Sequence, residues 1–161
     1  MAISFSGSEL VNVAIGIERN GIVFYDIMAR STENAAARAI FQQLSRMERE
    51  HLRIFQEMLD GMGKAQPPQA YTDEYAEYVK NLIDSAVFTD DVVSSEMATN
   101  ASSDIEALEL GIHAEKDSIL FYYEMRDLMP EPALPAINNI ITEEKFHLSQ
   151  LTKFKREIAS R

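Results

Sequence analysis

One pattern, Glu…Glu-x-x-His, occurs twice in this chain, and it constrains the fold more than any other feature. The first copy is Glu18 followed by Glu48 and His51; the second is Glu115 followed by Glu144 and His147. Residues three apart on a helix share one face, so Glu48 and His51 point into the same space, as do Glu144 and His147. Four carboxylates and two imidazoles delivered by four helices are the ligand set of a di-iron or di-manganese carboxylate centre in a helical bundle. Carboxylates are hard donors able to bridge two metals, and imidazole fixes each metal from one side. The expected assignment gives each metal one histidine and one lone glutamate. Glu18 and Glu115 are then terminal, and Glu48 and Glu144 bridge.

Four long segments carry helical periodicity, and strand-like alternation is absent. The first is expected over about 9–29, after the capping box Ser6-Gly7-Ser8-Glu9, and the second over about 33–59, stopping at Gly61-Met62-Gly63. The third is expected from a second capping box, Ser103-Asp104-Ile105-Glu106, to about Leu128. The fourth starts near Pro132, where proline suits a first helical turn, and runs almost to the end. Short connections make two antiparallel hairpins, about 7–60 and 103–160. Between them lies a crossover, 61–102, with a Gly/Pro-punctuated loop over 61–69 and short helices near 73–87 and 90–99. A connection of that length lets the second and third long helices run parallel, the ferritin-like form of a four-helix bundle. The fold class is therefore all-α, in a single domain over 1–161.

The halves match beyond the ligands. The segment Ile15 to Tyr25 aligns with Ile112 to Tyr122 through Ile, Glu, Ile, Phe and Tyr at an offset of 97. The second helices align at an offset of 96, through Glu48/Glu144, His51/His147 and Leu52/Leu148. An internal duplication gives approximate two-fold symmetry, and a site on that axis takes equivalent ligands from each half. With seventeen glutamates in the chain, a lone Glu-x-x-His step is most often a solvated pair that arose by chance. Two of three histidines showing it, each after a matched glutamate on a repeated helix, is not.

The net charge of −11 argues against a nucleic-acid surface, which needs clustered Lys and Arg. Part of that charge belongs inside, where two divalent cations neutralise four ligand carboxylates. Without cations, four ionised carboxylates in an apolar core carry a high electrostatic cost. The absence of cysteine excludes thiolate zinc sites, iron–sulfur centres and a rubredoxin-type electron-entry domain within this sequence. No stretch approaches the ~20 apolar residues of a membrane span. The N-terminus lacks the basic start and apolar run of a signal peptide, so a cytoplasmic protein is expected.

Other residues compete for roles at such a site. Glu143 shares a face with His147 at a spacing of four, but it aligns with Met47, whereas Glu144 aligns with Glu48. Glu143 and Glu50 read as surface charge or as groups behind the ligands, and His113, aligned with Gly16, as an ordinary helical histidine. Tyr25 and Tyr122 fall seven residues after Glu18 and Glu115, two turns along the same face, and Tyr123 one further. They are either core aromatics or tyrosines that hydrogen-bond a ligand carboxylate or supply an electron. The eight methionines read as core filler.

The paired Glu…Glu-x-x-His helices, the Ile17-Glu18…Phe24-Tyr25 run and the parallel crossover resemble the rubrerythrin branch of the ferritin-like superfamily. The resemblance covers nearly the whole chain. It implies a non-haem di-iron centre that reacts with hydrogen peroxide or dioxygen, ligated by Glu18, Glu48, His51, Glu115, Glu144 and His147. It also implies Tyr25 and Tyr123 as the tyrosines behind those ligands. Typical rubrerythrins add a four-cysteine rubredoxin domain; here the expectation is a separate electron-donor protein such as a rubredoxin. They also carry a seventh carboxylate three residues after the third-helix glutamate, where this chain has Ser118. That brings the ligand count nearer to bacterioferritin-like oxidase centres. The expected function is an oxidoreductase with two iron ions, with ferroxidase or iron-handling activity as one alternative. A non-catalytic site holding manganese or zinc is another. A homodimer is the expected assembly.

Overall fold

The computed structural model describes residues 5–63 and 72–160. Four long helices, α1 (Gly7–Ser31), α2 (Ala35–Gly61), α5 (Asp104–Leu128) and α6 (Leu134–Ala159), form the bundle, and α3 (Asp73–Asp84) and α4 (Asp91–Asn100) lie in the crossover. No strand occurs among the described residues. Part of the expected 61–69 loop, from residue 64 on, lies outside them.

The helix starts follow from local side-chain chemistry. Ser6 accepts from the Glu9 amide while the Glu9 carboxylate accepts from the Ser6 amide, completing the first capping box. Asn34 caps α2 through the amides of Ala36 and Ala37, which starts that helix two residues later than periodicity suggested. The second capping box forms only by half. Ser103 accepts from the Glu106 amide, but the Glu106 carboxylate takes the amide and hydroxyl of Ser102 instead of the Ser103 amide. Pro132 falls in a 3-10 turn, Glu131–Ala133, and the helix proper starts after it with Pro135 in its first turn. Helix α3 ends short of Val87 because that amide donates to the Asp117 carboxylate on α5 (2.8 Å) instead of a helical carbonyl.

Side-chain pairing fixes the helix directions. Glu18 meets Tyr122 and Tyr25 meets Glu115, so α1 and α5 run antiparallel. Glu48 meets His147 and His51 meets Glu144, so α2 and α6 also run antiparallel. With the connections over 32–34 and 129–133 reversing the chain within each hairpin, α2 and α5 run in the same direction, as the long crossover allows. Helix α4 packs on α1 and α3 on α5.

The core divides into two apolar layers. One gathers Leu10, Val11, Phe55, Met125, Ile137 and Ile140 toward one end of the bundle; the other gathers Phe24, Met28, Phe41, Leu44, Leu108 and Leu151 toward the other. Between them runs a belt of fully buried acidic and imidazole side chains. The apolar layers above and below exclude water from that belt, which raises every electrostatic interaction within it.

Candidate metal centre

All six predicted ligands are buried and meet in one cluster: Glu18, Glu48, His51, Glu115, Glu144 and His147. The imidazoles stack in parallel, ring centroids 5.6 Å apart. His51 Nδ1 lies 3.2 Å from Glu48, 3.3 Å from Glu144 and 3.6 Å from Glu18. His147 Nδ1 lies 3.0 Å from Glu144, 3.4 Å from Glu48 and 3.6 Å from Glu115. The internal two-fold expected from the repeat is thus visible in the distances.

How the shared carboxylates divide their oxygens decides the arrangement. Glu48 turns Oε2 to His51 and Oε1 to His147, and Glu144 turns Oε1 to His51 and Oε2 to His147. Two donor groups result, Glu18/Glu48/His51/Glu144 and Glu48/Glu115/Glu144/His147, each with its atoms within 4.8 Å of one another. Both contain Glu48 and Glu144; each has its own histidine and its own lone glutamate.

Charge explains why such a cluster tolerates burial. Burial, together with the charges of Glu48 and Glu144, pushes the carboxyls of Glu18 and Glu115 well up, toward the neutral acid. Burial acts the same way on Glu48 and Glu144, but hydrogen bonds from the two histidines outweigh it and hold both carboxyls low. Burial opposes charge on the imidazoles too, yet their carboxylate partners push His147 up to about 12 and His51 up as well. The cluster thus favours protons on the two imidazoles, against Glu48 and Glu144, and on Glu18 and Glu115. Two divalent cations replacing those four protons leave the interior charge at zero. The donor set, hard carboxylate oxygens with one imidazole nitrogen per group, fits a pair of such ions.

Tyrosines complete the cluster from opposite halves. The buried Tyr25 hydroxyl donates to Glu115, and the buried Tyr122 hydroxyl donates to Glu18. Burial first, then those neighbouring carboxylates, push both phenols well up, so each keeps its proton and its donor role. Gly111 makes room for Tyr25, since a Cβ there would lie 3.3 Å from the hydroxyl oxygen. Tyr123 does not join them, which corrects the expectation drawn from the resemblance. One residue along a helix turns the side chain about 100°. Tyr123 accordingly takes a hydrogen bond from Lys145 and sits under Arg126, 4.8 Å from ring centroid to guanidinium.

Glu143 is the finding that the aligned repeat alone did not give. Its half-exposed carboxylate lies 2.6 Å from His51 Nε2. The symmetry-related position is Met47, and His147 Nε2 is buried without a hydrogen-bond partner. With Nδ1 turned to the cluster, Nε2 of His51 carries the proton that Glu143 accepts, the arrangement that orients a metal-binding imidazole and raises its basicity. Glu143→Ala is expected to weaken one of two bound ions by about 10- to 100-fold and leave the other near its original affinity. A chelator-competition titration reads this as a single-phase isotherm split in two. Glu50 by contrast pairs with Arg53 on the exposed face.

A rubrerythrin family model matches residues 9–155. The chain belongs to the rubrerythrin family. Among solved structures, it is similar to a Thermotoga maritima protein described as ferritin-like and diiron-carboxylate. The two share 30% identity over 96% of this chain and 97% of that one, with a TM-score of 0.76. No match is found among curated proteins. This rubrerythrin-family chain thus has the ferritin-like bundle with a buried Glu/His cluster of the dinuclear type. Among the described residues, no helix is long and apolar enough to cross a membrane.

Proposed function

We propose that the cluster holds two iron ions and reduces hydrogen peroxide or dioxygen with electrons from a separate donor protein. The observation that carries this reading is the split of each shared carboxylate, one oxygen toward each histidine. Bound iron would supply one electron per ion in passing from ferrous to ferric, the two electrons that, with two protons drawn from solvent, turn one peroxide into two waters. The protein's part is positional and electrostatic. Glu48 and Glu144 belong to both donor groups, so each would contribute to holding both ions. Tyr25 and Tyr122 each hold a proton against a terminal carboxylate, fixing its orientation through a donated hydrogen bond. The two apolar layers close the cluster off above and below, which limits side reactions at a reactive centre.

Anaerobic loading with Fe²⁺ followed by a stoichiometric pulse of hydrogen peroxide tests the reading. The expected result is oxidation of both irons, seen as near-ultraviolet absorption of an oxo-bridged ferric pair, within one mixing experiment. Irons that bind but stay ferrous after the pulse would leave a manganese, zinc or structural site and remove the redox proposal.

A further inference from the structure

A cavity of about 220 Å³ lies between α1, α5 and the end of α3, and Glu18, Glu48 and Glu115 line its buried end. Its walls are mostly apolar: Val13 and Ile17 from α1, Leu82 and Ile83 from α3, and Phe88 from the segment between α3 and α4. Small residues make the space. Gly16 lines it with no atom within 4 Å of where a Cβ would stand, and Ala86, Ala114 and Ser118 line it as well.

Several polar groups on this wall are already engaged. Asn20 Nδ2 donates to the Phe88 carbonyl (3.2 Å), Ser118 Oγ donates to the Ala114 carbonyl (3.0 Å), and Asp117 accepts from the Val87 amide (2.8 Å). The first and last of these bonds clasp the crossover to α1 and α5, so the cavity has a fixed wall. Peroxide and dioxygen, of two heavy atoms each, need far less room. An apolar cavity of about 150 Å³ stays dry and takes up benzene. This one is larger and mostly apolar, with Asn20, Thr89, Asp117 and Ser118 on its walls and the carboxylates at one end.

We propose that the cavity is a binding site for a small uncharged apolar molecule, of benzene to naphthalene size, placed against the carboxylate cluster. Its placement beside a metal pair rests on the dinuclear reading; its uptake into the cavity does not. The volume and the aliphatic and aromatic lining of Ile17, Ile83 and Phe88 argue for a compact ring or short branched chain. A charged guest would lose its hydration against these mostly apolar walls, a cost that an uncharged guest avoids.

Toluene is the probe, titrated into metal-free and zinc-loaded protein with methyl resonances followed by NMR. Binding is expected to saturate at one toluene per chain, with a Kd near or below about 1 mM. The shifts should centre on Val13, Ile17, Leu82 and Ile83. Gly16→Phe and Ala86→Phe, which fill the cavity from α1 and from the segment after α3, should each weaken binding at least tenfold while keeping the zinc content of the parent protein. Linear, non-saturating shifts, or shifts centred on the exposed Val92 and Leu120, would overturn the proposal. So would binding that survives both substitutions. Zinc content is read separately: saturable toluene binding with fewer than two zinc per chain would keep the cavity site and sink the dinuclear reading instead.

Discussion

Replacing either shared carboxylate, Glu48→Ala or Glu144→Ala, is expected to take anaerobic iron loading from about two ions per chain to well below one. Each of these residues offers one oxygen to the His51 group and the other to the His147 group, so one substitution strips a donor from both positions. Each group then keeps a histidine and two carboxylates at most, and the remaining shared carboxylate must satisfy two ions alone. Substituting a terminal residue is a different perturbation. Glu18→Ala removes a donor only from the His51 group, and Glu115→Ala only from the His147 group. Metal analysis after gel filtration should therefore show near-total loss for the shared pair and loss of about one ion for each terminal residue. Equal, single-ion losses for all four would mean that Glu48 and Glu144 do not bridge.

Loading should also stabilise the fold strongly. In the metal-free protein the belt between the two apolar layers contains four carboxyls and two imidazoles balanced only by protons, a network in which every member depends on its neighbours. An ion at about 1,000 times its dissociation constant contributes roughly 4 kcal/mol, and two such ions roughly 8. For a chain of this size that corresponds to a rise in Tm of roughly 15 °C or more. Manganese, which is slow to oxidise, makes the comparison clean, and a chelator should reverse it. A Tm unchanged by saturating manganese, with Glu144→Ala equally unaffected, would mean that the cluster is not a metal site.

The site was legible in the sequence because a three-residue spacing on a helix leaves little freedom. Glu48/His51 and Glu144/His147 had to share faces, and the repeat chose Glu144 over Glu143 as the member of the ligand cluster. The repeat also concealed what is not repeated. Glu143 reaches His51 from a position whose counterpart is Met47, a contact between α2 and α6 that depends on how closely those helices pack. The tyrosines divided on the same ground. The seven-residue spacing placed Tyr25 and Tyr122 on the ligand face, whereas the family likeness pointed to Tyr123, whose side chain turns out toward Lys145. Helix ends were fixed by single hydrogen bonds that periodicity does not encode: Asn34 set the start of α2, and the Asp117 carboxylate, thirty positions away, helped to end α3. The wall of the cavity was hidden for the same reason, since Asn20 joins the crossover only through the carbonyl of Phe88.

Simultaneous measurement of metal uptake and proton release tests the central claim most directly. Burial raises the proton affinities of Glu18 and Glu115, and the surrounding carboxylates raise those of His51 and His147, so bound ions compete with protons at each of these groups. Since the protonated forms compete with the ions, affinity should increase as pH rises. Titrating metal-free protein anaerobically with Fe²⁺ in weak buffer should give about two ions bound and about four protons released per chain, one from each of those groups. Saturation at one ion or none per chain, or uptake of two ions without proton release, would contradict a dinuclear centre assembled from these six side chains.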